Sequence, residues 1–400
     1  MQYCLDHLNQ RHVLAHKDAI PAAFQETMDA ATYAKSVEYT LAKSRFGRWE
    51  QLWDTAILLL VLLSGILPWS LSYTDGLLGS GHWSRALWLF GTGIVLSIPV
   101  LPFGWWNQFR LEQRFGFNTM TLGTWITDQV KGLLIGAIIG IPLLSFILNL
   151  VTWTGDRWWI WAWAVLLAFQ LIMMVLFPKI ILPLFNKLTP LEAGALRDRL
   201  LGLGERTGFS AKTILVMDGS KRSKHSNAFF TGFGRARKIV LFDTLITQLT
   251  EPELEAVLAH EIGHYKRGHV PKMLLWAGFS SLIGFAAIGW LAKQAWFLEA
   301  FGFRLENGVA PVLYLFALLS GTLTFWLSPL ANHWSRKHEY EADTYARETM
   351  GDRGPLVGAL RKLSEKNLSN LTPHPLYSGF YYSHPSLLER EQALETQPIR

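Results

Sequence analysis

His260-Glu261-Ile262-Gly263-His264 sets two imidazoles four residues apart with a carboxylate beside the first. The surrounding run EPELEAVLAHEIGHYKRGH, from Glu251, predicts a helix. On a helix, residues i and i+4 share a face, so both rings can reach one Zn²⁺ while Glu261 leans toward a water at the metal. Two ligands and a general base are thus supplied by five residues. Such a site hydrolyses peptide bonds: zinc acidifies water toward a pKa of about 7 and stabilises the oxyanion, and Glu261 passes the proton to the leaving amine.

A catalytic zinc usually takes three protein ligands and keeps one position open. The segment Ser335 to Asp343 predicts a second helix, on which Glu339 and Asp343 are four residues apart on one face. Glu341 points roughly 200° away from Glu339 at 100° per residue. Glu339 is therefore expected as the third ligand, and Asp343 as the acceptor that orients a ligating His through its other ring N–H. His269 and His338 are rival ligands, but His269 falls nine residues after His260 and rotates off the face. One Zn²⁺ per chain is expected.

The elements that carry these residues sit in an unusual chain. Of its 400 residues 50% are hydrophobic and 17% charged, with 18 Trp, whereas soluble domains carry about 25% charge. Cys4 is the single cysteine, which excludes an intrachain disulfide and a thiolate metal cluster. The net charge of +6 is dispersed among apolar segments, so it points to basic loops of a membrane protein and not to nucleic acid.

Six runs are long and apolar enough to cross a bilayer core, which takes roughly 20 residues: 53–73, 86–106, 132–153, 158–183, 273–296 and 308–332. Trp105, Trp106, Trp153, Trp158 and Trp159 stand at their ends, where such rings favour the headgroup level. Lys43, Arg45 and Arg48 precede the first run, and Arg110, Arg114 and Lys131 lie between the second and third. The positive-inside rule then puts residues 1–52, the 107–131 loop, the 184–272 segment and the C-terminal segment 333–400 in the cytoplasm. Residues 1–52 read as a polar helical arm without a signal peptide. The 184–272 segment opens with a helical stretch ending at Gly208. The runs KTILVMD, SNAFFTGF and RKIVLFD follow, their β-branched and aromatic content predicting a small sheet ahead of the motif helix. The expected fold is an all-α multi-pass membrane protein with a cytoplasmic metalloprotease region carrying that sheet.

Ordered matches along nearly the whole chain make this sequence similar to the type I CAAX prenyl protease family, in a bacterial-type homologue. They are Phe115-Gly116-Phe117-Asn118, ILPLFNKLTPL at 181–191, Ser226 to Phe230, His260 to His264, Glu339 to Asp343, and His384-Pro385 with Leu387 to Arg390. The resemblance implies an integral-membrane zinc endopeptidase that trims prenylated C-termini, working as a monomer on peptide or protein substrates in the bilayer. It implies a helical barrel of seven transmembrane helices around a water-filled chamber. Residues 1–25 are polar where that pattern sets its first apolar helix, so six spans are expected here, either because the natural protein has six or because the start is truncated. It further implies that Asn227, Ala228, Phe229 and Phe230 form an edge strand along which an extended substrate pairs. His384 is implied to sit near the zinc and stabilise the oxyanion, with Arg390 close by.

Two other readings use the same features. A heat-shock-type membrane zinc protease would share the metal motif but not the 181–191 run or the length. A transporter would place ionisable groups at the bilayer midplane, and these runs are nearly free of them.

Overall fold

The structure is a computed structural model and describes residues 1–25, 27–209, 213–231 and 238–396. Helices dominate it, with one four-stranded sheet. Four helical segments qualify by length and composition to cross a membrane, or five when a bent pair is counted. One of the four, Leu122–Phe185, has 64 residues. At 1.5 Å per residue it would reach about 96 Å, three times a hydrocarbon core of about 30 Å. It doubles back at 155–157, where Gly155 takes φ 55°, and its halves Leu122–Thr154 and Trp158–Leu176 pack on each other. Read as two spans, these halves bring the candidates among the described residues to six.

The first span departs from the expected straight run at 53–73. Helix Ala30–Leu63 carries the polar arm and the apolar run in one rod, then bends by 58° into Ile66–Leu78. Gly65 makes the corner at φ 75°, a conformation a Cβ would penalise. The arm therefore does not end at residue 52. The last apolar run likewise does not end at 332, because helix Val309–Met350 continues through Glu339 and Asp343 as one 42-residue element.

The spans meet in an apolar cap at one end, built around Leu67, Leu71, Trp88, Trp158, Leu298 and Leu315. Only 17 to 22% of the most apolar window of each candidate span is buried within the protein, which leaves most of that apolar surface for lipid.

The sheet lies at the other end. Strands β1 (Leu188–Pro190), β2 (Thr213–Met217), β3 (Ala228–Thr231) and β4 (Lys238–Phe242) are ordered β1-β2-β4-β3. The β2–β4 pair is parallel and the β1–β2 and β3–β4 pairs antiparallel, with Ala228 opposite Leu241 and Phe230 opposite Ile239. Of the predicted strand runs, Lys212, Gly232, Phe233 and Arg237 lie outside the described residues; β1 is an additional strand. Ile214, Ile239 and Leu241 join Leu254, Leu258 and Ile262 of the motif helix in one buried cluster, so the sheet fixes that helix.

The Phe115-to-Asn118 turn ties this region to the spans. Gly116 at φ 85° reverses the chain, Lys224 donates to the Phe117 carbonyl at 3.0 Å, and Phe117 stacks on His225 with ring centroids 4.2 Å apart. Arg222 adds a two-pronged bond to Asp128 at 2.8 and 3.0 Å.

The motif helix, Glu251–Lys266, starts with a capping box: the Thr250 side chain and Glu253 satisfy each other's backbone N–H groups. It crosses Val309–Met350 at a contact made by Gly263. A Cβ there would lie 3.0 Å from Ala342 Cα, 3.1 Å from its carbonyl oxygen and 3.1 Å from Tyr345 Cβ. Two of these atoms are backbone and cannot rotate away. Gly263→Val is expected to destabilise the protein by about 3 kcal/mol through overpacking and to separate the two halves of the site; thermal unfolding and zinc retention check it.

Candidate metal centre

Two helices position the site. The capped helix Glu251–Lys266 presents His260 and His264, and the continuation of the last span presents Glu339 and Asp343. The Nε2 atoms of His260 and His264 are 3.2 Å apart. Glu339 Oε2 lies 3.5 Å from His260 Nε2, and Oε1 lies 3.3 Å from His264 Nε2. One donor atom from each of the three residues lies within 4.8 Å of the others.

These donors fit a metal ion. Two Nε2 atoms 3.2 Å apart must share either a proton or a metal ion, and a metal takes both lone pairs at once. Glu339 is 4% exposed, and its Oε2 is buried with no hydrogen-bond partner among the described residues. Two imidazoles and a carboxylate with room for one more ligand suit zinc.

The far side of His260 is tightly held. Its Nδ1 donates to Asp343 Oδ1 at 2.7 Å, and Asp343 accepts from Arg390 Nε at 2.8 Å and Nη2 at 2.5 Å. Burial alone would lower the His260 pKa, but the hydrogen bonds of Asp343 and Glu339 overcome it and, without a metal, raise it to about 9. Burial pushes the Glu261 carboxyl above its ordinary range, against the lowering charges of His260 and His264. A carboxyl poised upward in this way suits a general base working near neutrality.

The structure brings the other expected residues close as well. His384 Nε2 lies 3.5 Å from Glu339 Oε1, with its side chain 65% exposed. Arg390 clasps Asp343 behind the ligands and comes within 4.0 Å of Glu339. His384 and Arg390 line a cavity of about 820 Å³ that runs to the N-terminal arm at Asp6, Lys43 and Arg48 and includes Tyr377 and Tyr382. Strand β3 stands at the sheet edge, pairs only with β4 among the described residues, and touches the motif helix. Asn227 falls just before this strand, its carbonyl accepting from Phe242 N–H at 3.1 Å.

His269 lies outside the donor set, behind His264: the Nδ1 atoms of the two rings are 3.0 Å apart. Helical phase from His260 does not reach His269, because Gly268 at φ 66° ends the motif helix and His269 begins the next one, His269–Leu291. Glu341, set off the Glu339 face, meets His269 Nε2 at 2.9 Å. Sequence reasoning missed this pair; the Gly268 break was its only signal.

Known proteins resemble the chain along nearly all of its length. The profile described as "CAAX prenyl protease N-terminal, five membrane helices" matches residues 9–187, and that of peptidase family M48 matches residues 190–397. CAAX prenyl protease 1 of Saccharomyces cerevisiae is 36% identical, covering 94% of this chain and 88% of its own length. The Homo sapiens homologue is 31% identical over 97% and 91%. The crystal structure of S. mikatae Ste24p superposes with a TM-score of 0.90 at 32% identity, covering 98% of this chain and 96% of that one. The chain is thus an integral-membrane metalloendopeptidase and belongs to the CAAX prenyl protease 1 group of peptidase family M48.

Proposed function

We propose that the chain hydrolyses peptide bonds near the C-terminus of CAAX-type substrates with one zinc ion held by His260, His264 and Glu339. The observation that carries this reading is the convergence of those three donors, one carboxylate oxygen buried with no hydrogen-bond partner among the described residues. Zinc, when bound, supplies a Lewis acid that acidifies water and draws charge from a carbonyl oxygen.

The chain's own residues do the rest. Glu261 takes a proton from the attacking water and returns it to the leaving amine. His384, exposed to the cavity beside Glu339, donates to the developing oxyanion. Asp343, braced by Arg390, holds the His260 ring with Nδ1 protonated and Nε2 free. An extended substrate adds to the edge of β3 that pairs with no other strand among the described residues, a mode that reads backbone and leaves side-chain choice to the cavity. The cavity's length from His384 to Lys43 and Arg48 suits a chain end entering past the arm. Lys and Arg in the short flanks support a cytoplasmic catalytic face, and the reading takes the protein as a monomer.

The names of the relatives favour a prenylated substrate. The test uses purified protein with one peptide sequence, farnesylated and unmodified, with and without a zinc chelator. Faster turnover of the farnesylated peptide, abolished by chelator, is expected. Equal turnover of the two would remove the prenyl preference and favour a quality-control protease; chelator-insensitive turnover would remove the zinc chemistry.

A further inference from the structure

The two imidazoles of the motif are backed differently. Behind His260 stands a carboxylate, Asp343; behind His264 stands a second imidazole, His269, which is fully buried. His269 Nε2 lies 2.9 Å from Glu341 Oε2, and its ring stacks on His338 at 4.1 Å between centroids and 11° between planes. Stacking fixes the plane of the ring, and the carboxylate fixes which edge faces which way.

The hydrogen-bond logic assigns the protons. An ionised carboxylate only accepts, so His269 Nε2 carries the hydrogen that meets Glu341. In the neutral ring Nδ1 is then a bare acceptor. The 3.0 Å approach of His264 Nδ1 must therefore carry its hydrogen on His264. With its proton on Nδ1, His264 offers a free Nε2 lone pair toward His260 and Glu339, the form in which an imidazole ligates a metal.

We propose that His269, held by Glu341, is a positioning residue that fixes the tautomer and ring orientation of His264 for the metal site. This rests on the assignment of His260, His264 and Glu339 as ligands made above. A role as a mere buried filler predicts something different: any side chain of similar volume would serve as well.

Zinc affinity of the full-length detergent-solubilised protein, measured by competition with a chromophoric chelator, separates the two. His269→Phe keeps a flat ring and removes both nitrogens, and it is expected to weaken zinc binding by about 10- to 100-fold, the loss usual for an outer partner of a metal-bound His. His269→Asn keeps an acceptor oxygen near the place of Nδ1 and is expected to recover most of that loss. Glu341→Ala, at a side chain 34% exposed whose truncation spares the core, is expected to weaken binding about tenfold; it keeps the proposal testable should His269→Phe misfold. Parent-like affinity in His269→Phe or Glu341→Ala, or Asn no better than Phe, overturns the proposal. Glu339→Ala runs alongside: if zinc binding to the parent does not depend on Glu339, the underlying ligand assignment falls, whereas dependence on Glu339 with indifference to His269 overturns the positioning role alone.

Discussion

Glu261→Gln is expected to lower kcat by about 10²- to 10⁴-fold, the range for losing a positioned general base, with zinc content unchanged. Gln has nearly the shape of Glu but cannot take a proton from water. Glu261 is outside the group of three donors, so its replacement leaves the imidazoles and Glu339 where they are. The raised pKa of its buried carboxyl marks the property that is lost. A parallel assay of peptide cleavage and bound zinc checks both halves. Turnover within a few-fold of the parent would contradict the base assignment, and loss of zinc would move Glu261 into the ligand set.

Glu339→Ala is expected to weaken zinc binding by more than the 10- to 100-fold that outer partners cost, and to abolish cleavage at ordinary zinc concentrations. The carboxylate sits between both imidazoles, 3.5 Å from one Nε2 and 3.3 Å from the other. Without it, two neutral rings remain to hold a doubly charged ion in a buried place. Arg390 keeps its bonds to Asp343 in this variant, and thermal unfolding shows whether it is folded when zinc binding is measured. Excess zinc should restore part of the activity. An unchanged affinity would show that the third ligand lies elsewhere.

Much of this arrangement is legible in the sequence because it depends on local periodicity. The spacing of His260 and His264 fixes their shared face, and the i, i+4 relation of Glu339 and Asp343 does the same on the other helix. The requirement for a third ligand then joins two segments about 80 residues apart with no alignment needed. Hydropathy finds apolar runs and so the helical membrane class, but it is blind to backbone dihedrals. It reads through Ser64-Gly65, where the φ 75° corner bends the first span by 58°. It also takes a change from apolar to polar as an end. The helices at 30–63 and 309–350 cross that boundary without a break, since backbone hydrogen bonding continues on either side of it. That continuity matters to the site: Glu339 and Asp343 are fixed on a rod anchored in the spans, not on a separate helix.

The arrangement behind His264 was hidden for a related reason. Phase counted from His260 is valid only to Lys266, and the left-handed Gly268 resets it. Arg390 was legible only through the family resemblance, as a residue close to the zinc in the shell behind the ligands; its bond to Asp343 depends on how helix Leu387–Thr396 docks, which no local pattern encodes.

Anomalous scattering measured on either side of the zinc absorption edge, from crystals of protein purified without added metal, tests the central claim most directly. The account predicts one strong difference peak per chain, bounded by His260 Nε2, His264 Nε2 and the Glu339 carboxylate. A peak at another position, or none in a preparation that cleaves peptide, would contradict it.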